Sequence, residues 1–183
     1  MALFINRFFC WSLETATFAG YVYALITIFF ALILRLLDLG AIGTDFEISK
    51  GFHTNWRSHS WESFLSCDVI MVICHIAVMF LSLFMIFLTS RRHFLITLNW
   101  TKAFVVIFGC YTFIEFGISI FEFSYYRMYT FRLAYVVFIW LYWVVRTIAN
   151  ITMTVVISSR HTQMINQVEQ ELRFSGGFKK DYF

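Results

Sequence analysis

Four apolar stretches, at about residues 15–37, 66–89, 102–124 and 131–158, occupy more than half of this 183-residue chain. Each is long enough to cross bilayer hydrocarbon, which takes about 20 helical residues. Lipid offers no water to satisfy backbone N–H and C=O groups, so a segment of this kind closes its hydrogen bonds within itself as an α-helix. Composition agrees: 60% of residues are hydrophobic, 14% are charged, and the mean hydropathy is +0.73. A water-soluble surface needs roughly twice that charge. The expectation is an all-α integral membrane four-helix bundle, a single domain over residues 1–183, with no room for a separate soluble domain. Proline is absent, so the spans read as straight helices and not as the broken helices of alternating-access transporters.

The N-terminal segment, MALFINRFFCWSLE, suits a membrane interface through Phe4, Phe8, Phe9 and Trp11. It reads as uncleaved, because the apolar run after it is too long for a signal peptide. Cys10 just before the first span is a candidate for S-palmitoylation; the plain alternative is an ordinary buried thiol. Ser12 is placed to cap the first helix, with Glu14 in its first turn. Ala16, Gly20 and Ala24 recur every four residues, a small-residue face that lets another helix approach closely, inside the bundle or in a partner. Arg35 and Asp38 mark the far end of the span, where Arg35 can snorkel.

Residues 39–65 are expected to form the one sizeable outer loop, rich in aromatic and charged residues, with His53 and His59 six apart but no cysteine close enough to make a convincing metal site. Residues 90–101, including Arg91, Arg92 and His93, read as a tight basic loop, and residues 159–183 as a cytosolic tail. In the tail Met164, Ile165, Val168 and Leu172 recur at helical spacing, predicting that the fourth span runs on as an amphipathic helix ended by Gly176 and Gly177.

Lys and Arg counts set the orientation. Arg7, Arg91, Arg92, Lys102, Arg160, Arg173, Lys179 and Lys180 give eight on one side, against five on the other: Arg35, Lys50, Arg57, Arg127 and Arg132. Both termini are therefore expected in the cytosol. The sequon at Asn99 then lies inside and stays unmodified.

Ionisable residues inside the spans carry the functional question, since each costs roughly 2.5–3.5 kcal/mol to insert. If the turn between spans three and four centres on Arg127, Glu122 and Arg132 are each five residues from it and pair at the outer interface. Glu115 is then twelve residues in and Arg146 nineteen, an offset of about 10 Å. On that register His75 is the better-matched neighbour of Glu115, and Arg146 turns to Asn150, a backbone carbonyl or a second protein. His75, Glu115, Arg146 and Asn150 form either a polar lock that fixes helix register, or a proton or ion path, or a site completed by a partner subunit.

Other chemistries have little support. The four cysteines, Cys10, Cys67, Cys74 and Cys110, make no C-x-x-C pair. One intramembrane histidine cannot supply paired axial ligands to a haem. Neither G-x-S-x-G nor H-E-x-x-H occurs. No cofactor, metal or catalytic residue is expected, and a net charge of +3 gives no reason to expect nucleic acid.

The stretch Phe9-Cys10-Trp11-Ser12-Leu13-Glu14-Thr15-Ala16 resembles the opening of small four-span proteins of the lysosome-associated protein transmembrane group and their insect Pasiflora-type relatives. The resemblance covers about a dozen residues and the four-span layout, and Ala16 stands where such openings usually have Gly. It implies a non-enzymatic membrane organiser. Cytosolic segments without a Tyr-x-x-hydrophobic or acidic dileucine signal favour the plasma membrane over the lysosome. The expected role is an accessory or scaffold subunit of a larger assembly, a cell junction or channel complex, whose partners are the lipid bilayer and other membrane proteins or copies of itself. The outer loop, the Ala16/Gly20/Ala24 face and the tail helix are its expected contact surfaces. The rival is a small ion channel or proton-coupled transporter using Glu115, His75 and Arg146.

Overall fold

The computed structural model describes residues 10–42, 61–91, 94–126 and 134–174. They form four helices: α1 (Leu13–Ile42), α2 (Trp61–Ser90), α3 (Phe94–Tyr126) and α4 (Ala134–Phe174). All four contain a stretch long and apolar enough to cross a membrane, consistent with a multi-pass integral membrane protein.

Ser12 caps α1. Its Oγ accepts the backbone N–H of Thr15 at 3.3 Å, satisfying one of the orphan donors of the first turn. Glu14 sits in that turn, where the helix dipole favours a carboxylate. The helices pack in chain order around a ring: α1 lies on α2 and α4, and α3 closes the circle between α2 and α4. The short connections from α2 to α3 and from α3 to α4 favour this up-down arrangement of antiparallel neighbours. The core takes Tyr21, Ala24 and Ile28 from α1, Met71, Val78 and Met85 from α2, Phe104, Phe108 and Tyr111 from α3, and Ile157 from α4. The α2 residues repeat every seven positions, as at the seam of a coiled coil. On α3 the rings of Phe104, Phe108 and Tyr111 stack in succession at 5.4 and 5.9 Å. Tyr21 crosses the diagonal from α1 and meets Phe104 edge-on at 4.9 Å. The outer faces are apolar too, with Phe80, Phe113 and Val145 each more than 60% exposed. Such a surface suits lipid and not water.

Several element boundaries depart from the sequence expectation. Only residues 43–60 of the anticipated 39–65 loop lie between α1 and α2, and they are outside the described residues, as are His53 and His59. The basic loop at 90–101 is largely helix, because α3 begins at Phe94 and not near Lys102. Asn99 and Thr101 gave the segment a loop-like polarity. Thr101 escapes the cost of burial by bonding back to the Thr97 carbonyl at 2.7 Å and meeting the Tyr21 hydroxyl at 3.3 Å. The fourth helix does run on past its apolar stretch, as expected, since α4 continues unbroken to Phe174. Its 41 residues make a rod of about 60 Å, twice the hydrocarbon thickness, so it extends beyond the apolar layer. Along the anticipated amphipathic stripe Met164 is buried and Leu172 is exposed. Gly176 and Gly177 lie outside the described residues.

The small-residue face is buried within the bundle. Ala16 and Ala24 are at most 1% exposed. A Cβ at Gly20 would meet Ile157 Cδ1 and Met153 Sδ of α4, each at 3.5 Å. Of the two expectations for this face, packing inside the bundle or against a partner, the first holds and its use as a contact surface for a partner does not: α4 already occupies it, because the two helices can approach closely only along a row without large side chains. Cys10, by contrast, is exposed with a free thiol.

Candidate functional site

The polar side chains gather in two layers. The deeper one joins α2, α3 and α4. Arg146 donates from Nη1 to Glu115 Oε1 as a buried ion pair. Its other terminal nitrogen donates to the Tyr111 hydroxyl, and the guanidinium lies 5.9 Å from the centroid of the Tyr111 ring. The Tyr111 hydroxyl in turn shares a 3.1 Å hydrogen bond with His75 Nδ1. His75 and Tyr111 are each within three residues, about 5 Å, of the middle of their spans, Leu65–Ser90 and Phe94–Glu122. One turn further along α4, Asn150 Oδ1 accepts the hydroxyl of Tyr23 on α1 at 3.3 Å. The layer thereby touches all four helices.

The outer layer lies at the span ends. Arg35 of α1 donates to Asp68 Oδ1 of α2 at 2.6 Å, and to Glu122 of α3 through two bonds of 2.6 and 3.0 Å. Glu122 is held as a fork, the strong bidentate geometry of guanidinium with carboxylate. At the opposite end of the bundle Arg160 of α4 reaches Glu14 of α1 at 3.6 Å, with the glutamate well exposed; this is a surface pair of little energetic weight.

Two pairings therefore differ from the sequence expectation: Glu115 pairs with Arg146 and not with His75, and His75 is held by Tyr111. Glu122 binds Arg35, which was not expected, and its expected pair with Arg132 lies outside the described residues. One geometric cause covers the shift. The midpoint between Tyr126 and Ala134 is residue 130, three beyond the assumed centre at Arg127. Moving the centre by three changes the relative depth of the two helices by six. Glu115 is then fifteen residues from the centre and Arg146 sixteen, level to within one residue. Asn150 lies one turn from Arg146, as expected, but its Oδ1 accepts from Tyr23 and not from Arg146.

Tyr23, Arg35, Asp68 and Tyr111 were not anticipated as members of these layers. A signal for two of them is present. Asp68 and His75 are seven apart on α2, and Glu115 and Glu122 are seven apart on α3. In antiparallel helices equal spacing stacks two polar layers at the same separation, about 10 Å. Tyr111 is four residues before Glu115 and shares its face.

Arg146 and Glu115 are each only 5% exposed and cancel each other's formal charge. Two such groups are tolerable in hydrocarbon only when joined and further hydrogen-bonded. Among the described residues no cluster of three or more His, Cys, Asp or Glu is arranged to hold a metal ion. Comparisons with protein-family models, with curated proteins and with solved structures find no match to this chain.

Proposed function

We propose that this chain is a non-enzymatic, contact-making membrane protein: an accessory or scaffold subunit of a larger assembly such as a cell junction or channel complex. The observation that carries the reading is that the deep charged groups are bonded to one another. Glu115, Arg146, Tyr111 and His75 are bonded to one another across α2, α3 and α4. A neutral, internally bonded set of this kind acts as a lock on helix register, a recognised use of buried polar groups. A transport path would instead need groups that exchange partners. With the charges engaged inside, the surfaces left for function among the described residues are the lipid-facing helix faces and the part of α4 beyond Arg160. The resemblance of residues 9–16 to four-span membrane organisers points the same way.

On this reading both termini are cytosolic, as the distribution of Lys and Arg favours. The segment of α4 beyond Arg160 is then a cytosolic helix, and the protein sits in the plasma membrane. Purification in mild detergent, followed by mass spectrometry of co-purifying membrane proteins, tests the reading directly. A stoichiometric partner is the expected result. The protein alone in liposomes is expected to pass neither current nor protons. Flux that disappears in Glu115→Gln overturns the scaffold reading in favour of a channel or proton-coupled transporter.

A further inference from the structure

Three residues of α4, Tyr142, Arg146 and Asn150, follow one another at four-residue intervals and so share a face. Each carries a buried polar atom with no hydrogen-bond partner among the described residues: the Tyr142 hydroxyl, Arg146 Nε and Asn150 Nδ2. The last two belong to side chains at least 95% buried. Their remaining polar atoms are engaged, the Arg146 terminal nitrogens with Glu115 and Tyr111 and Asn150 Oδ1 with Tyr23. What is left over is a surplus of N–H donors facing an apolar interior, an arrangement that buried polar groups avoid.

We propose that this face of α4 holds an internal water molecule bridging Arg146 Nε–H and Asn150 Nδ2–H, within reach of the Tyr142 hydroxyl. The chemistry required is an acceptor with two lone pairs. Adjacent members of an i, i+4 row lie side by side on the helix, and a single water oxygen can accept two N–H bonds of about 2.9 Å each. An anion would also accept these bonds. Charge decides against it: Glu115 already neutralises Arg146, so an added anion would bring an uncompensated negative charge into the buried interior of a spanning bundle. A buried water making two to four bonds to polar groups costs no such charge.

The test is magnetic resonance on the full chain, labelled with 15N-arginine, in detergent micelles. The Arg146 Nε–H signal is assigned by its loss in Arg146→Lys, or, should that variant not fold, by its contact with the Tyr111 ring. A cross-peak to water with the sign of a long-lived bound molecule is expected in the wild type. Asn150→Leu, which keeps the branched shape and removes the second donor, is expected to cut that cross-peak at least severalfold. Its absence from the wild type, or its survival undiminished in Asn150→Leu, overturns the bridge. A shift of the Nε–H signal when bromide replaces chloride, without a water cross-peak, assigns the site to an anion and overturns it equally.

Discussion

Removing Arg146 leaves the Glu115 carboxyl group inside the bundle without its cation. Loss of one partner from a buried pair costs about 3–5 kcal/mol, so Arg146→Met is expected to lower the thermal unfolding midpoint in detergent sharply. Glu115→Leu combined with Arg146→Met removes both charges, and the double variant is expected to unfold at a higher temperature than Arg146→Met alone. If the two losses simply add, the residues are not coupled. In the outer layer the arithmetic is asymmetric, because one cation serves two carboxylates. Arg35→Gln brings Asp68 and Glu122 together without their shared guanidinium and is expected to cost about 3 kcal/mol or more. Glu122→Gln leaves Arg35 balanced by Asp68 and is expected to cost less, a ranking that the same unfolding measurement checks. Individual residues were the least legible part of the sequence. Glu115, His75, Arg146 and Asn150 stood out as polar groups in apolar runs. Who bonds to whom depended on relative depth, and three residues of error in one turn was enough to exchange the partners.

Gly20 separates two kinds of packing effect in α1. A methyl group there meets Ile157 and Met153 at ordinary contact distance. Gly20→Ala also gains helix propensity, about 1 kcal/mol, so it is expected to leave thermal stability unchanged or improved. Gly20→Leu pushes α4 away from α1 and is expected to destabilise the bundle by about 1–3 kcal/mol, the usual range for overpacking. Thermal unfolding of the two variants side by side reads the difference. At this scale the sequence was more informative. Apolar length marked all four helices, and Ser12 marked the start of α1. The ends of α2, α3 and α4 were harder to place, because helices in membranes continue through polar residues whenever those side chains bond back to their own turn. Thr101 does so with Thr97, and Thr154 does so with Asn150 at 2.8 Å.

Four antiparallel helices put the start of α1 and the end of α4 at the same end of the molecule, as the contact of Glu14 with Arg160 records. Cys10, exposed at that end, is a native reporter of orientation. With the other three cysteines replaced by serine, an impermeant maleimide is expected to label Cys10 in inside-out vesicles and not in right-side-out ones. The opposite pattern overturns the cytosolic assignment of both termini. The membrane class was plain from composition, whereas the ring order of the helices was not, since hydropathy carries no information about which neighbours touch. That order has a consequence for how the molecule is made. Span by span, the ribosome delivers Arg35, then Asp68, then Glu115 and Glu122, and last Arg146. Asp68 and Glu122 each enter a membrane where their cation is already waiting, but Glu115 arrives one span ahead of Arg146. A chain halted before α4 therefore carries a Glu115 carboxyl group inside a span without its cation, a built-in mark by which an unfinished copy differs from a finished one.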